Sequence, residues 1–250
     1  MTFQKRKQII LKNLELLGEV DIKQLAQDLN IAEITARRDL NELAKDGLLY
    51  RTHGGAIKID PLAKVTSFVN KAAVNVEAKD AICRRAAKEI AEGDIIFMDC
   101  GSTVFRLCQF IKNKKIRVIT NSLPVISELQ NSSVSLNLIG GEVDQERQAI
   151  HGKIAEEHIS KYNATKAFLG IDGISENGLF ANTEKEASIT LAIAKQSAFT
   201  YILCDKSKIG KESYLKFAGL GLIDAIITDY NGEDVEKLSS KGLLVLSTFQ

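Results

Sequence analysis

The chain has 250 residues, 45% of them apolar, with 33 Lys and Arg against 32 Asp and Glu. That length accommodates one large domain or two smaller ones with cores of their own, and the composition excludes disordered, fibrous and collagen-like chains. No apolar run approaches the ~20 residues of a membrane span, so the composition predicts a soluble globular protein.

Residues 1–58 hold ten Lys or Arg and eight Asp or Glu, an excess too small to imply nucleic acid by itself. Its placement is more informative: Lys5, Arg6, Lys7 and Lys12 gather near the start, then Arg37 and Arg38, although such patches are mostly solvated faces. Cys83, Cys100, Cys108 and Cys204 lie far apart, with neither CxxC spacing nor a His cluster. That pattern predicts reduced core thiols and no metal. The run Ile9, Ile10, Leu11 is too brief for a secretory signal, so a reducing cytoplasm is the expected compartment.

Ile10, Leu14 and Leu17 recur at helical spacing and predict an amphipathic helix over 3–17 that ends at Gly18. A second helix follows, capped by Asp21 with Gln24 completing a capping box, and with Ile22, Leu25, Ala26 and Leu29 as its buried stripe. Asn30, Ile31 and Ala32 turn the chain into a third helix from Glu33 to Asp46. Its core face carries Ala36, Leu40, Leu43 and Ala44, its opposite face Thr35, Arg38 and Glu42, and its flanks Arg37 and Asn41. Two short helices joined by a tight turn, the second basic and polar outward, make a helix-turn-helix that fits a major groove. Past Gly47, the segments 48–51 and 56–59 read as two strands around Thr52, His53, Gly54 and Gly55, which is a wing. On such a hairpin Arg51 and His53 reach phosphate backbone or minor groove, or else His53 is a turn residue bonded to its own backbone.

Thr35, Ala36, Arg37, Arg38, Asp39 and Leu40, followed by Leu43, Gly47, Arg51, His53, Gly54, Gly55 and Ala56, resemble the N-terminal signature of the DeoR family of bacterial transcriptional regulators. Two positions depart from it: Ala32 stands where the family usually has a capping Ser, and Ala36 where it usually has Ile or Val. Loss of the cap hydroxyl costs about 1 kcal/mol of helix stability. The DNA-binding residues this reading assigns are Thr35, Arg37, Arg38, Asn41, Arg51 and His53, within a winged helix-turn-helix domain over 1–59.

Residues 60–78 contain Pro61 and no strong periodic segment, and read as a linker, either hinge or extended brace. From Lys79 helices and strands alternate to the end of the chain, which predicts an α/β domain over 79–250 with substantial parallel sheet. Strands are expected over 95–98, 118–120, 134–139, 167–171, 200–204, 225–228 and 243–246. Ligands bind beyond the carboxyl ends of such strands, and polar residues fall there: Asp99 to Thr103, Asn121, Gly140 and Gly141, Asp172 and Gly173, and Asp205 to Lys208. In the loop Asp99, Cys100, Gly101, Ser102, Thr103, glycine permits close backbone approach, and free N–H groups with two hydroxyls suit a phosphate or carboxylate. The same loop is also readable as a capped strand-to-helix turn with no ligand. Lys206 and Lys208 supply cations or are plain solvated charges. No Walker element follows and no GxGxxG follows a strand, so nucleotide binding is disfavoured and no cofactor is expected.

Asp99 with Gly101, Ser102 and Thr103, then Thr120 and Asn121, Gly140 and Gly141, Gly170 with Asp172 and Gly173, Glu186 and Ala187, Asp205 with Ser207 and Lys208, and Thr228 with Asp229 are similar to the sensor half of the same family. The resemblance implies an α/β effector domain related in fold to ribose-5-phosphate isomerase that binds phosphorylated sugars or related metabolites. The effector residues it assigns are Asp99, Gly101, Ser102, Thr103, Asn121, Asp172 and Lys208. It further implies a repressor of carbohydrate-metabolism genes, double-stranded operator DNA as partner, and a homo-oligomer, dimer or tetramer. The competing expectation is an isomerase-type enzyme in which Asp172, Glu186 and Lys208 move a proton beside a carbonyl; the N-terminal DNA reader argues against it, and fold alone warrants no activity.

Overall fold

The computed structural model describes residues 1–46, 48–51, 54–58 and 68–249, and these form two compact units, Met1–Val76 and Glu77–Gln250.

In the first unit, helix α1 (Phe3–Leu17) buries Ile10 and Leu14 but leaves Leu17 70% exposed, because the helix has run past the core by its last residue. Gly18 ends it in the left-handed conformation, φ 78°, with its N–H on the Leu14 carbonyl. A strand absent from the sequence reading follows, β1 (Glu19–Asp21), three residues being too few for periodicity to reveal. Asp21 caps α2 (Ile22–Asp28) by accepting from the Lys23 and Gln24 amides at 2.8 and 3.0 Å. The capping box is not completed: the Gln24 amide nitrogen donates forward to Asp28 at 2.8 Å. Helix α3 (Glu33–Lys45) starts at Ala32 with no side-chain cap. Its Ala36, Leu40 and Leu43 are fully buried, each leucine contributing about 1.5–3 kcal/mol. Strands β2 (Leu49–Arg51) and β3 (Gly55–Lys58) pair antiparallel, and β3 also pairs with β1. Gly47, Thr52 and His53, and with them the expected helix stop and half the wing turn, lie outside the described residues.

Arg6 of α1 holds Asp39 of α3 through two parallel N–H···O bonds, one of them 2.9 Å. Asp39 is 3% exposed, so the ion pair fastens α3 across the core. Within the span read as a featureless linker, helix α4 (Phe68–Ala73) packs on β2 with Phe68 buried.

Helix α5 (Val76–Ala86) starts at the last residue of the first unit and is otherwise the first element of the second. Strands β4 (Ile95–Met98), β5 (Arg117–Thr120) and β6 (Ser135–Leu138) are joined through α6 (Ser102–Arg106), α7 (Cys108–Ile111) and α8 (Leu123–Leu129). The single helix expected over 104–111 is thus two, starting earlier, at Ser102. A hairpin, β7 (Glu142–Asp144) and β8 (Ala149–His151), precedes α9 (Lys153–Ile159) and β9 (Lys166–Leu169). Then come β10 (Gly173–Ser175), β11 (Gly178–Ala181), α10 (Glu184–Lys195), β12 (Thr200–Leu203), β13 (Leu215–Ala218), β14 (Ala225–Thr228), α11 (Glu233–Ser240) and β15 (Leu244–Ser247).

Seven strands form one sheet in the order β15-β14-β12-β9-β4-β5-β6, all parallel. Alternate residues feed two cores, Phe97, Ile119, Leu169 and Ile202 on one face and Met98, Val118, Phe168 and Leu203 on the other. Both faces are therefore covered, as a parallel sheet requires. From β4 the chain builds outward through β5 and β6, then returns to the other side of β4 with β9. The carboxyl ends of β4 and β9 thus mark the point where the strand order reverses, which is where open α/β sheets take ligands.

Candidate functional site

On α3 the exposed residues include Glu33, Ile34, Arg37, Arg38, Asn41 and Glu42, while Thr35 is half-buried. The outward face is therefore rotated from the expected centre on Thr35, Arg38 and Glu42. Arg6 draws Asp39 inward, and Thr35, one turn before Asp39, goes partly inward with it. Ile34, which the sequence reading passed over, is 74% exposed. Arg37 lies 3.7 Å from Glu33 one turn back.

Arg51 does not stand free on the wing. Its Nε donates to Asn41 Oδ1 at 2.9 Å, and a second guanidinium N–H donates to the Gly55 carbonyl. One side chain thereby ties α3 to both strands of the β2–β3 hairpin. His53 lies outside the described residues.

In the second unit Asp99, first residue beyond β4, is 6% exposed. Its Oδ1 accepts from the Gly101 amide and its Oδ2 from the Gly170 amide, each at 2.7 Å, so one carboxylate staples the β4 and β9 tips together. The two glycines let the tips approach: a Cβ on Gly101 would lie 3.0 Å from the Gly170 Cα and 2.9 Å from Asp99 Oδ1, and one on Gly170 would lie 3.1 Å from the Gly101 Cα. Burial pushes the Asp99 carboxyl up to about 6, against the two amides and with help from the negative charges of Glu186 and Asp172. Burial also raises the neighbouring Cys100 thiol.

Ser102 receives a hydrogen bond from Lys79 Nζ at 3.3 Å, and Lys79 is only 4% exposed. Thr103 is buried beside it. Asn121, at the β5 tip, donates to the Ile150 carbonyl at 2.9 Å, fastening the β7–β8 hairpin to the sheet. From the turn of that hairpin Arg147 reaches Glu186 at 2.8 Å, in the first turn of α10. Glu186 also accepts from the Thr183 hydroxyl at 3.1 Å. Asp172 Oδ2 accepts from the Asn182 amide at 3.0 Å. Asp99 thus links the β4 and β9 tips and Asn121 ties the β5 tip to the β7–β8 hairpin, with Asp172 and Glu186 close enough to act on the Asp99 charge. Lys208 belongs to the next tip along, in the turn Lys206–Lys208 after β12 whose start is capped by Asp205.

Two cations at these tips escaped the sequence reading. Lys79 had a signal: it shares a helical stripe with Ile82, Cys83 and Ala86, all buried, and a charge on a core stripe needs a partner. Arg147 had none, since it lies in a turn and its partner is 39 residues away.

Residues 6–61 match the DeoR-like helix-turn-helix domain and residues 74–230 the DeoR C-terminal sensor domain. The chain is 32% identical to the HTH-type transcriptional regulator GlpR of Haloferax volcanii, over 93% of its own length and 94% of that protein's. It is 35% identical to the lactose phosphotransferase system repressor of Lactococcus lactis, over 92% of each. Among solved structures, ribose 5-phosphate isomerase A from Methanocaldococcus jannaschii aligns over 54% of each chain at 17% identity, with a TM-score of 0.40. The sensor match alone spans more than half of the chain and the relatives run along nearly all of it, so the chain belongs to the DeoR family of transcriptional regulators.

Proposed function

We propose that this regulator represses carbohydrate-metabolism genes and that a phosphorylated sugar, bound at the tips of β4, β5 and β9, sets its affinity for operator DNA. The observation that carries the ligand class is Lys79, a buried ammonium on the Ser102 hydroxyl beside glycine-lined backbone. An anion of phosphate size gains a charge-assisted hydrogen bond from the lysine and further bonds from the serine and threonine hydroxyls. Asp172 and Asn121 serve the hydroxyl-bearing remainder, whereas Asp99 acts chiefly through the backbone it holds. Lys208 adds long-range positive charge from the neighbouring tip. The repressor name of a relative aligned along its length supports the sign of regulation.

An isomerase reading needs a free base, and Glu186 is engaged by Arg147, which favours the sensor. Operator and effector are linked reciprocally: a sugar phosphate that favours the DNA-incompetent arrangement weakens operator affinity by the factor by which DNA weakens its own binding. A dimer or tetramer follows from the match of paired winged helices to repeated half-sites. A regulator on operator DNA acts in the cytoplasm; among the described residues no helix is long and apolar enough to cross a membrane.

The test is fluorescence anisotropy on the DNA upstream of the protein's own gene and on a scrambled duplex, at two salt concentrations and with a panel of sugar phosphates. Specific binding that one sugar phosphate shifts supports the reading, as does loss of that shift with retained DNA affinity in Ser102→Ala and Lys79→Met. Arg38→Ala is expected to weaken DNA binding and leave the effector bound. Turnover of a sugar phosphate by the purified protein would refute it in favour of the enzyme.

A further inference from the structure

Resting on the DNA-binding role of the first unit, we propose that Arg51 is a positioning residue: it fixes the Asn41 amide so that its two N–H donors face the DNA, making Asn41 the reader of an acceptor edge. A guanidinium offers donors only, so the Asn41 atom that meets Arg51 Nε at 2.9 Å is the carbonyl oxygen. An exposed asparagine otherwise turns its amide either way. Here the second Arg51 bond, to the Gly55 carbonyl, anchors the guanidinium in the hairpin and settles the choice. Asn41 Nδ2 is left on the far side of the amide from Arg51, on the exposed part of α3 that also carries Ile34, Arg37 and Arg38.

The chemistry of the base follows. Asparagine pairs with adenine by accepting from N6 while donating to N7, and the oxygen that would accept from N6 already receives Arg51, which leaves it one lone pair beside a positive charge. Guanine presents acceptors at both N7 and O6 in the major groove, and cytosine presents a donor at N4. An amide held donor-outward favours guanine at its position and rejects cytosine. Thymine O4 and adenine N7 offer one acceptor each where guanine offers two, and phosphate oxygens offer acceptors that carry no sequence information; the same experiment separates these.

Full-length protein is first used to enrich a duplex from a randomised pool; enrichment of nothing over random DNA would refute the DNA-binding reading and this proposal with it. On the enriched duplex, affinities of wild type, Arg51→Lys, Arg51→Ala, Asn41→Ala and the double alanine variant are measured against each base at every site position and against salt. Arg51→Lys keeps the positive charge but not the planar fork, and Asn41 is exposed, so both are suited to folded comparison, checked by circular dichroism. The expected result is a roughly tenfold loss for every variant, a double variant no weaker than Asn41→Ala, and a guanine preference flattened at one shared position. Replacing that guanine by 7-deazaguanine should weaken wild type and leave Asn41→Ala unaffected. The salt slope stays unchanged. A slope reduced by about 0.9 in Arg51→Ala, as for a lost phosphate contact, with base preference intact would overturn the proposal, as would additive losses in the double variant.

Discussion

Replacing Asp99 by Asn should change how the stability of the sensor unit depends on pH, and the size follows from the burial of one carboxylate. The rise of its pKa from the ordinary 3.8 to about 6 corresponds to about 3 kcal/mol of preference for the neutral form. Because the folded state binds this proton more tightly than the unfolded chain, the contribution is fully present below about pH 4 and is lost as pH rises through about 6. At neutral pH the wild type therefore bears the cost of a buried charge that the Asp99→Asn variant would not carry. The Asn amide meets the Gly101 or the Gly170 N–H with one of its own, which lowers the variant's stability by an amount that does not vary with pH. Urea unfolding of both proteins from about pH 4 to 7, following the transition of the sensor unit, should give a wild-type minus variant difference that moves about 3 kcal/mol in the variant's favour as pH rises. A constant difference, or one that moves the other way, would refute the assignment of the cost to Asp99.

Asp39→Ala should destabilise the first unit by about 1–3 kcal/mol, since it removes a buried carboxylate that accepts two hydrogen bonds from Arg6; thermal unfolding measures it, and a loss under about 0.5 kcal/mol would mean the pair is loose in solution. Gly101→Ala should cost about 1–3 kcal/mol and blunt the effector response, because its Cβ has backbone on one side and the Asp99 carboxylate on the other; unchanged urea midpoints would show that the tips can part without penalty. Ile34→Ser should leave stability within about 0.5 kcal/mol, given 74% exposure, while altering base preference in the enrichment assay, because an apolar side chain on the outward face of α3 can meet a thymine methyl.

What could be read from the chain was whatever depends on spacing. Ile10 and Leu14, the α2 stripe and Ala36, Leu40 and Leu43 are buried at the positions their periods predict. The short apolar runs from Ile95 to Leu246 became parallel strands whose tips carry the polar residues. Roles that depend on a distant partner were not legible. Lys79 is explained only by Ser102, Arg147 only by Glu186, and Arg51 only by Asn41 and the hairpin carbonyl. Thr35 sits further inward than a plain wheel places it, because Arg6, 33 residues from Asp39, pulls on the same side of the helix. Three-residue strands such as β1 and β7 are below the length at which alternation can be recognised. The β10–β11 hairpin had a legible sign in Gly178, which follows the two-residue turn Glu176–Asn177 and takes a positive φ of 138°.

Asp39 and Asp99, both buried, are held in opposite ways, and the contrast bears on how a sensor can work. Asp39 meets a guanidinium through two parallel bonds, which compensates its charge within the fold and makes α3 a rigid reading head. Asp99 meets only two backbone amides, and Glu186 and Asp172 press on it with charge of its own sign. The penalty left there is a property of the site as this chain builds it, and it persists only where the surrounding structure over-determines it. A ligand can shift an equilibrium only by its differential affinity for the two states. On the proposed reading, sugar hydroxyls that donate to Asp172 and Glu186 draw their charge away from Asp99, so the ligand gains most in the arrangement that brings these tips together. On the same reading that differential, rather than the total binding energy, is what would reach the DNA-binding unit as reciprocal linkage.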